Sequence, residues 1–207
     1  MFDLSGKTAI ITGAGRGLGL AMAQALSAAG ADILGVQRSP MDDCKNAVEA
    51  NGRRFVGMQA DISADDAPQA IIDHAVATFG GLDILINNAG IIRRADTLEL
   101  DRKDWDDGID INLSAALWLS QAAARYWVRE NRSGKIINTA SMLSFQGGIR
   151  VAGYTAAKSG LLGLTRLLAN EWAAKGINVN AIAPGYFRTD NTQSLQDDPK
   201  RNAEILA

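Results

Sequence analysis

The eight residues "TGAGRGLG" (12–19) join a short apolar run, "KTAIIT" (7–12), to an amphipathic segment, "GLAMAQALSAAG" (19–30). The apolar run is typical of a buried strand, and the spacing in the second segment is typical of a helix. Glycines at 13, 17 and 19 let the backbone turn tightly and approach a pyrophosphate, whose charge the amide groups and the positive end of the helix can meet. This spacing differs from the common G-x-G-x-x-G fingerprint but predicts the same kind of dinucleotide site. The alternative is a plain glycine-rich turn.

The same alternation of apolar runs and amphipathic segments continues along the whole chain. Strands separated by helices long enough to cross back over a sheet predict right-handed crossovers and a parallel sheet covered on both faces. We therefore expect a doubly wound, three-layer α/β/α sheet in one domain, residues 1–207, with the ligand crevice where the strand order reverses. The predicted strands are 7–12, 31–36, 54–59, 82–87, 134–140 and 177–182, and the predicted helices are 19–30, 41–51, 65–80, 101–130 and 153–176.

The composition argues against several classes of function. A net charge of -2 and the lack of a long Lys/Arg run disfavour nucleic-acid or polybasic membrane contact, and no apolar run reaches the ~20 residues that would span a bilayer. Cys44 and His74 are the single cysteine and histidine, too few for a disulfide framework or a His/Cys metal site. The amino terminus does not have the pattern of a signal peptide, so we expect a cytoplasmic protein with a small-molecule partner.

The second predicted strand ends at "GVQRS" (35–39), where the choice of nucleotide is normally made. An acidic residue ~20 residues past the glycine turn binds the ribose hydroxyls of NAD, and an arginine there accommodates the phosphate of NADP. Gln37 stands at the acidic position, Arg38 follows it, and Arg16 of the glycine turn can pair with the same phosphate. The pattern favours NADP, with NAD as the alternative if both arginines are solvated surface charges.

The third and fourth predicted strands also end in residues that suit a nucleotide. Asp61 could accept a hydrogen bond from the adenine amino group, or it could cap the helix predicted from residue 65. The fourth strand ends in "INNAG" (86–90), where asparagine side chains can satisfy the local backbone and Ala89 and Gly90 allow a close approach.

The fifth predicted strand leads to Ser141, and Tyr154 and Lys158 follow in the next predicted helix. The i, i+4 spacing places the tyrosine and the lysine on one face of that helix. An isolated tyrosine has a pKa of about 10, and a nearby ammonium group favours the phenolate and lowers that pKa. We therefore expect Tyr154 to act as a general acid/base and Ser141 to donate to the substrate oxygen. A surface Tyr–Lys pair is the alternative.

Together these motifs resemble the single-domain short-chain dehydrogenase/reductase family over nearly the whole chain. The resemblance implies a Rossmann fold and hydride transfer between NAD(P) and a secondary alcohol or ketone. It implies that Lys158 also holds the nicotinamide ribose and that Asn112 supports a water in a proton relay. The matching residues are Thr12, Gly13, Gly17, Gly19, Asp61, the "NNAG" at 87–90, Asn112, Ser141, Tyr154, Lys158 and "NAIAPG" (180–185), and the expected cofactor site also includes Leu18, Ile62, Ile182, Pro184, Gly185 and Thr189.

Within the family, "ASMLSFQGGIRVAGYTAAKSG" and "APGYFRTDNT" are similar to dehydrogenases of deoxy sugar acids of the gluconate type. A planar guanidinium suits a carboxylate, and the candidate substrate residues are Arg94, Gln146, Arg150 and Arg188. A solvated or structural role is the alternative for each arginine.

The family's chains usually continue past a substrate-covering segment, expected to start at 186–207, into a seventh strand. This sequence apparently lacks that last strand. The resemblance also implies a homo-oligomer, in the form of a tetramer. The alternative functions are a 3-oxoacyl thioester reductase on the same scaffold and a non-catalytic NADP(H)-sensing protein.

Overall fold

The computed structural model describes residues 2–189, 192 and 196–206. Its sheet contains six parallel strands in the order β3-β2-β1-β4-β5-β6, so the strand order reverses between β1 and β4. This is the predicted doubly wound arrangement, and the predicted strand positions are confirmed to within about two residues at each end. The strands are β1 (Thr8–Thr12), β2 (Asp32–Gln37), β3 (Phe55–Gln59), β4 (Ile84–Asn87), β5 (Gly134–Thr139) and β6 (Ile177–Ile182).

The five predicted helices are present, but the one predicted at 101–130 is not continuous. A π-helical turn, Asp110–Ser114, separates α4 from α5. The spacing of apolar residues did not reveal this turn, because the segments on both sides of it remain helical and amphipathic. The helices are α1 (Gly17–Ala28), α2 (Asp42–Ala50), α3 (Ala67–Phe79), α4 (Arg102–Ile109), α5 (Ala115–Arg129), α6 (Leu143–Gln146), α7 (Ala152–Trp172) and α8 (Pro199–Leu206).

The strands are buried on both faces of the sheet, and alternate residues of β1 show how the two sides are covered. Ile10 belongs to the core formed with α3 and α5, whereas Ala9 and Ile11 belong to the core formed with α1 and α2. Each of these three side chains is fully buried. The sheet is therefore the middle layer of an α/β/α sandwich, and the carboxyl ends of β1, β4 and β5 lie side by side.

The expected substrate-covering segment at 186–207 includes residues that lie outside the described part of the structure, namely 190, 191, 193–195 and 207. Within its described part, α8 follows the sheet. Among the helices that are described, none combines the length and the apolar character needed to cross a membrane.

Candidate active site

The turn after β1 is held against the end of β4 by Thr12. The Thr12 hydroxyl oxygen accepts hydrogen bonds from the backbone N–H groups of Asn88 and Ala89, each at 3.0 Å. Gly13 has a φ of 66°, and a Cβ at this position would lie 3.0 Å from the Cα of Ala89. A Cβ on Gly19 would collide with the carbonyl oxygen of Gly13. Contacts of the chain with itself therefore require glycine at both positions, and they leave the backbone of the turn open to the crevice.

A cavity of about 440 Å³ opens between this turn and the ends of the neighbouring strands. Its volume lies in the range of small-molecule and cofactor sites. Gly19 lies outside its lining, packed on Gly13, and Pro184 and Gly185 do not line it either. The expected cofactor residues that do line it are Gly13, Arg16, Gly17, Leu18, Gln37, Arg38, Asp61, Ile62, Asn88, Ala89, Gly90, Tyr154, Lys158 and Thr189.

Gln37 shapes the part of this cavity where an acidic residue would recognise NAD. Its Oε1 accepts a hydrogen bond of 3.0 Å from the backbone N–H of Gly15. Its Nε2 donates to the carbonyl oxygens of Ser39 and Pro40, at 3.1 and 3.0 Å, and to the Ser39 hydroxyl. The amide thus joins the turn after β2 to the glycine turn, and it carries no negative charge that would repel a phosphate. Arg38 lies beside it in the cavity wall.

Asp61 lines the cavity and does not cap a helix. Its Oδ1 accepts hydrogen bonds from the hydroxyl and the backbone N–H of Ser63, at 2.6 and 3.0 Å. These bonds lower the pKa of the Asp61 carboxyl, so it is ionised near neutral pH. The helix that follows begins only at Ala67 and has Asp66 as its N-cap. The alternative role predicted for Asp61, an N-cap of this helix, is therefore wrong.

Of the two asparagines at the end of β4, Asn88 satisfies local backbone groups, as predicted, whereas Asn87 bonds mainly to side chains. The Nδ2 of Asn88 donates to the carbonyl oxygens of Thr12 and Gly13, at 3.0 and 3.3 Å. Asn87 is buried behind it and donates 2.8 Å to the side chain of Asn138 on β5. These bonds tie the ends of three adjacent strands together at the floor of the cavity.

Tyr154 and Lys158 lie one turn apart on α7, with the Lys158 Nζ 5.6 Å from the centre of the Tyr154 ring. The lysine is buried, and its Nζ donates a 2.6 Å hydrogen bond to the carbonyl oxygen of Thr139 at the end of β5. Ser141 follows two residues later, and its hydroxyl oxygen accepts a 3.1 Å hydrogen bond from the N–H of Leu143. That bond leaves the Ser141 hydroxyl hydrogen available for donation. The structure therefore brings Ser141, Tyr154 and Lys158 together, with Tyr154 and Lys158 in the cavity wall and Ser141 next to Tyr154 but outside the lining.

The ionisation of this group differs from the prediction in one respect. Burial raises the pKa of the Tyr154 phenol, and the hydrogen bond with the Ser141 side chain only partly opposes that effect. Burial also lowers the pKa of Lys158 from 10.5 to about 8. The Tyr154 pKa is therefore raised overall and not lowered as predicted, because burial is the largest influence on it.

Asn112 lies in the π-helical turn with its side-chain amide already occupied. Its Nδ2 donates to the carbonyl oxygens of Gly108 and Ile91, at 2.8 and 3.0 Å, and its Oδ1 accepts from the N–H of Ile91 at 3.1 Å. The side chain thus fixes the segment after β4. A second, small cavity of about 10 Å³ is lined by both Asn112 and Lys158, which is about the volume that one water needs.

The predicted substrate residues are exposed and do not line the main cavity. The backbone N–H of Ala95 donates 3.1 Å to the carbonyl oxygen of Arg150, which joins the segment carrying Arg94 to the segment before α7. Arg150 has a φ of 64°, which is uncommon for a residue with a side chain. Met142 donates 3.1 Å to the carbonyl oxygen of Pro184, so the segment after β6 also lies next to Ser141. Exposed side chains at this edge are those of Arg94, Gln146, Arg150 and Arg188.

Two described residues that hydrogen-bond to Ser141 or Lys158 were not predicted from the sequence. Thr139 holds the Lys158 ammonium through its carbonyl oxygen, and Ser144 hydrogen-bonds to the backbones of both Ser141 and Lys158. Thr139 ends a predicted strand, which is a signal that could have drawn attention to it. Ser144 carries no comparable signal, since its contacts depend on how α6 packs against α7.

Comparison with known proteins identifies the family of the chain. The family model described as short chain dehydrogenase matches residues 7–200. The 2-dehydro-3-deoxy-D-gluconate 5-dehydrogenase of Escherichia coli (strain K12) is 54% identical over 205 residues, which cover 99% of this chain and 81% of that protein. The 3-oxoacyl-(acyl-carrier-protein) reductase of Salmonella typhimurium is 39% identical over 205 residues, covering 99% and 82% of the two chains.

Among solved structures, one from Agrobacterium tumefaciens superposes with a TM-score of 0.92. It is 50% identical in sequence, and the match covers 99% of this chain and 81% of that one. That protein is provisionally assigned as a 2-deoxy-D-gluconate 3-dehydrogenase, and its crystal contains bound NADP.

Proposed function

The chain belongs to the short-chain dehydrogenase family, and from that premise we propose that it transfers a hydride between NADP and a secondary alcohol or ketone of a deoxy sugar acid. Its family and its relatives make it an NAD(P)-dependent oxidoreductase that acts on alcohol groups. The observation that carries the substrate class is the 54% identity, over 99% of this chain, to a 2-dehydro-3-deoxy-D-gluconate 5-dehydrogenase.

The cavity residues fit a dinucleotide with an additional phosphate. The glycine turn offers backbone to a pyrophosphate, since Gly13, Gly15 and Gly17 line the cavity without side chains in the way. Arg16 and Arg38 supply positive charge at the cavity wall, and Gln37 supplies none of the negative charge that would exclude a phosphate. When bound, the cofactor accepts or supplies the hydride at its nicotinamide ring. We assign the adenine contact to Asp61 and Ile62, and the nicotinamide contacts to 88–90, Pro184, Gly185 and Thr189.

Tyr154 moves the proton in this proposal. It takes the hydroxyl proton during alcohol oxidation and returns it during ketone reduction. Ser141 donates a hydrogen bond to the reacting oxygen, since the bond that its oxygen accepts from Leu143 does not use the hydroxyl hydrogen. With a pKa of about 8, Lys158 is mostly an ammonium at neutral pH, so its charge favours the phenolate that forms on Tyr154.

We assign Asn112 a positioning role beside Lys158. Its amide bonds to Ile91 and Gly108 occupy both Nδ2 hydrogens, so that amide cannot donate to a relay water. The cavity of about 10 Å³ that it shares with Lys158 suits one water, which would lie beside the Lys158 side chain.

The carboxylate of the sugar acid is assigned to the exposed arginines beside Ser141. Arg94 and Arg150 lie on segments joined by the hydrogen bond between Ala95 and Arg150. Arg188 and Gln146 complete the proposed substrate edge, and residues from 186 onward are proposed to cover it. We further propose a cytoplasmic homotetramer, which light scattering of the purified protein can test.

A substrate panel tests the proposed reaction. Turnover of 2-dehydro-3-deoxy-D-gluconate, 2-deoxy-D-gluconate and an acetoacetyl thioester is followed by absorbance of the reduced nicotinamide, each with both cofactors. We expect the highest kcat/KM for a sugar acid with the NADP form. The 39% identity to the acyl-carrier-protein reductase makes the thioester the second candidate, and its preferential turnover would replace the sugar-acid assignment. Tight NADPH binding without turnover of any alcohol or ketone would instead indicate a sensing protein.

A further inference from the structure

Ser144, in the short helix α6, contacts backbone groups of two proposed catalytic residues at once. Its hydroxyl oxygen accepts a 3.2 Å hydrogen bond from the N–H of Ser141. The same hydroxyl donates a 2.8 Å hydrogen bond to the carbonyl oxygen of Lys158. Ser141 belongs to the segment after β5 and Lys158 to α7, so one hydroxyl group connects two elements that come from different parts of the chain.

The hydrogen bond between Ser144 and Lys158 is matched by a second bond to Lys158 on the other side of Ser141. The Lys158 Nζ donates 2.6 Å to the carbonyl oxygen of Thr139. The segment from Thr139 to Ser144 is therefore fastened to the Lys158 turn of α7 at both of its ends, with Ser141 between the two points. Tyr154 lies one turn earlier on the same helix. The position of the Ser141 hydroxyl relative to the phenol thus depends on both fastenings.

We propose that Ser144 is a positioning residue that holds Ser141 in register with Tyr154 and Lys158. The inference rests on the proposed catalytic roles of those three residues. Ser144 itself touches neither the reacting atoms nor the main cavity. Its contribution is to keep the serine donor and the tyrosine acid/base at a fixed separation, which an enzyme needs because small misplacements of reacting groups are costly.

The proposal is tested with Ser144→Ala, which removes the hydroxyl and both of its bonds. We expect kcat to fall by about tenfold, the effect of losing about one net hydrogen bond, with the Kd for NADPH changed by less than about twofold. Ser144→Thr keeps a hydroxyl and should restore kcat to within about threefold of wild type. Ser144→Cys has nearly the shape of serine but bonds weakly, so it should resemble Ser144→Ala while disturbing packing least.

Ser159→Ala is the matched control. The Ser159 hydroxyl donates a 3.3 Å bond to the carbonyl oxygen of Ser144, so it belongs to the same cluster but does not reach Ser141. We expect this variant to keep the wild-type kcat. Equal losses of kcat in Ser144→Ala and Ser159→Ala would overturn the proposal, since they would indicate a general loss of packing between α6 and α7.

A second readout needs no substrate. The chain has three tyrosines, so the absorbance titration of Tyr154 is obtained by subtracting the curve of the corresponding Tyr154→Phe protein. We expect Ser144→Ala to move the Tyr154 pKa upward, because the Ser141 hydrogen bond that opposes burial is weakened. An unchanged titration would refute the positioning role. If wild type turns over no sugar acid and the titration still moves, the substrate assignment fails and the positioning role stands.

Discussion

Replacing Lys158 by methionine removes a buried charge, and its effect on stability should depend on pH in a defined direction. Lys158 is 3% exposed, and burial lowers its pKa from 10.5 to about 8. Between these two values the unfolded chain binds more protons than the folded one, so the free energy of unfolding rises with pH. Below about pH 8 the ammonium is charged in both states, and its burial costs stability in full.

The interval of about 2.5 pH units between the two pKa values corresponds to about 3 kcal/mol, at about 1.4 kcal/mol per unit. We expect the unfolding free energy of wild type, relative to Lys158→Met, to increase by up to that amount from about pH 7 to about pH 10.5. The methionine variant also lacks the 2.6 Å bond to Thr139. Losing this bond should shift the unfolding free energy by a similar amount at every pH and change its slope with pH much less. The slope is therefore the diagnostic quantity.

The assay is urea unfolding at several pH values without cofactor, followed by the fluorescence of the chain's four tryptophans. The exposed lysine Lys175 provides the matched control, Lys175→Met, for which we expect no comparable slope. If the difference in unfolding free energy between wild type and Lys158→Met did not change over this pH range, the claim that burial lowers the pKa of Lys158 would be refuted.

Three further outcomes follow from the site. Arg38→Ala should weaken NADPH binding by about tenfold or more and NADH binding far less, measured by fluorescence titration, and equal effects on both would show that Arg38 does not meet the phosphate. Gly19→Ala should lower the free energy of unfolding by about 1–3 kcal/mol, because its Cβ collides with the Gly13 carbonyl, whereas Gly163→Ala, which meets open space on α7, should be neutral or stabilising. Burial raises the pKa of Tyr154, so the phenolate that alcohol oxidation needs forms only at alkaline pH, and the rate of oxidation should increase from about pH 7 to about pH 10. Ketone reduction needs the neutral phenol, so its rate should stay level near neutrality and fall at higher pH. Profiles of kcat/KM against pH in both directions test this. Parallel profiles would assign the proton transfer to another group.

Patterns that depend on local chemistry were predictable from the sequence. The Ile- and Val-rich runs gave the six strands because a parallel sheet buried on both faces needs continuous apolar residues. The glycine turn was predictable because the close contacts at positions 13 and 19 require glycine, and glycines at these positions are visible in the sequence. The grouping of Ser141, Tyr154 and Lys158 followed from the strand order and the helical period together.

Features that depend on how distant segments pack against each other could not be predicted from the sequence. The π-helical turn that contains Asn112 does not change the spacing of apolar residues in the sequence. Gln37 lines the cavity where the sequence places it, but its hydrogen bonds to Gly15 and Ser39 do not follow from the spacing of residues. For Tyr154 the sequence identifies the neighbouring charge but not the degree of burial, and burial decides the direction of the pKa shift.

The role of Tyr154 is tested most directly by the turnover of Tyr154→Phe, which removes one oxygen and little else. With the best sugar-acid substrate, kcat should fall by about a hundredfold or more, and the Kd for NADPH should stay within about twofold of wild type. The control is Tyr126→Phe, a tyrosine of α5 that packs in the core away from the cavity, which should keep full activity. If Tyr154→Phe retained more than about a tenth of the wild-type kcat, the phenol would not be the group that moves the proton.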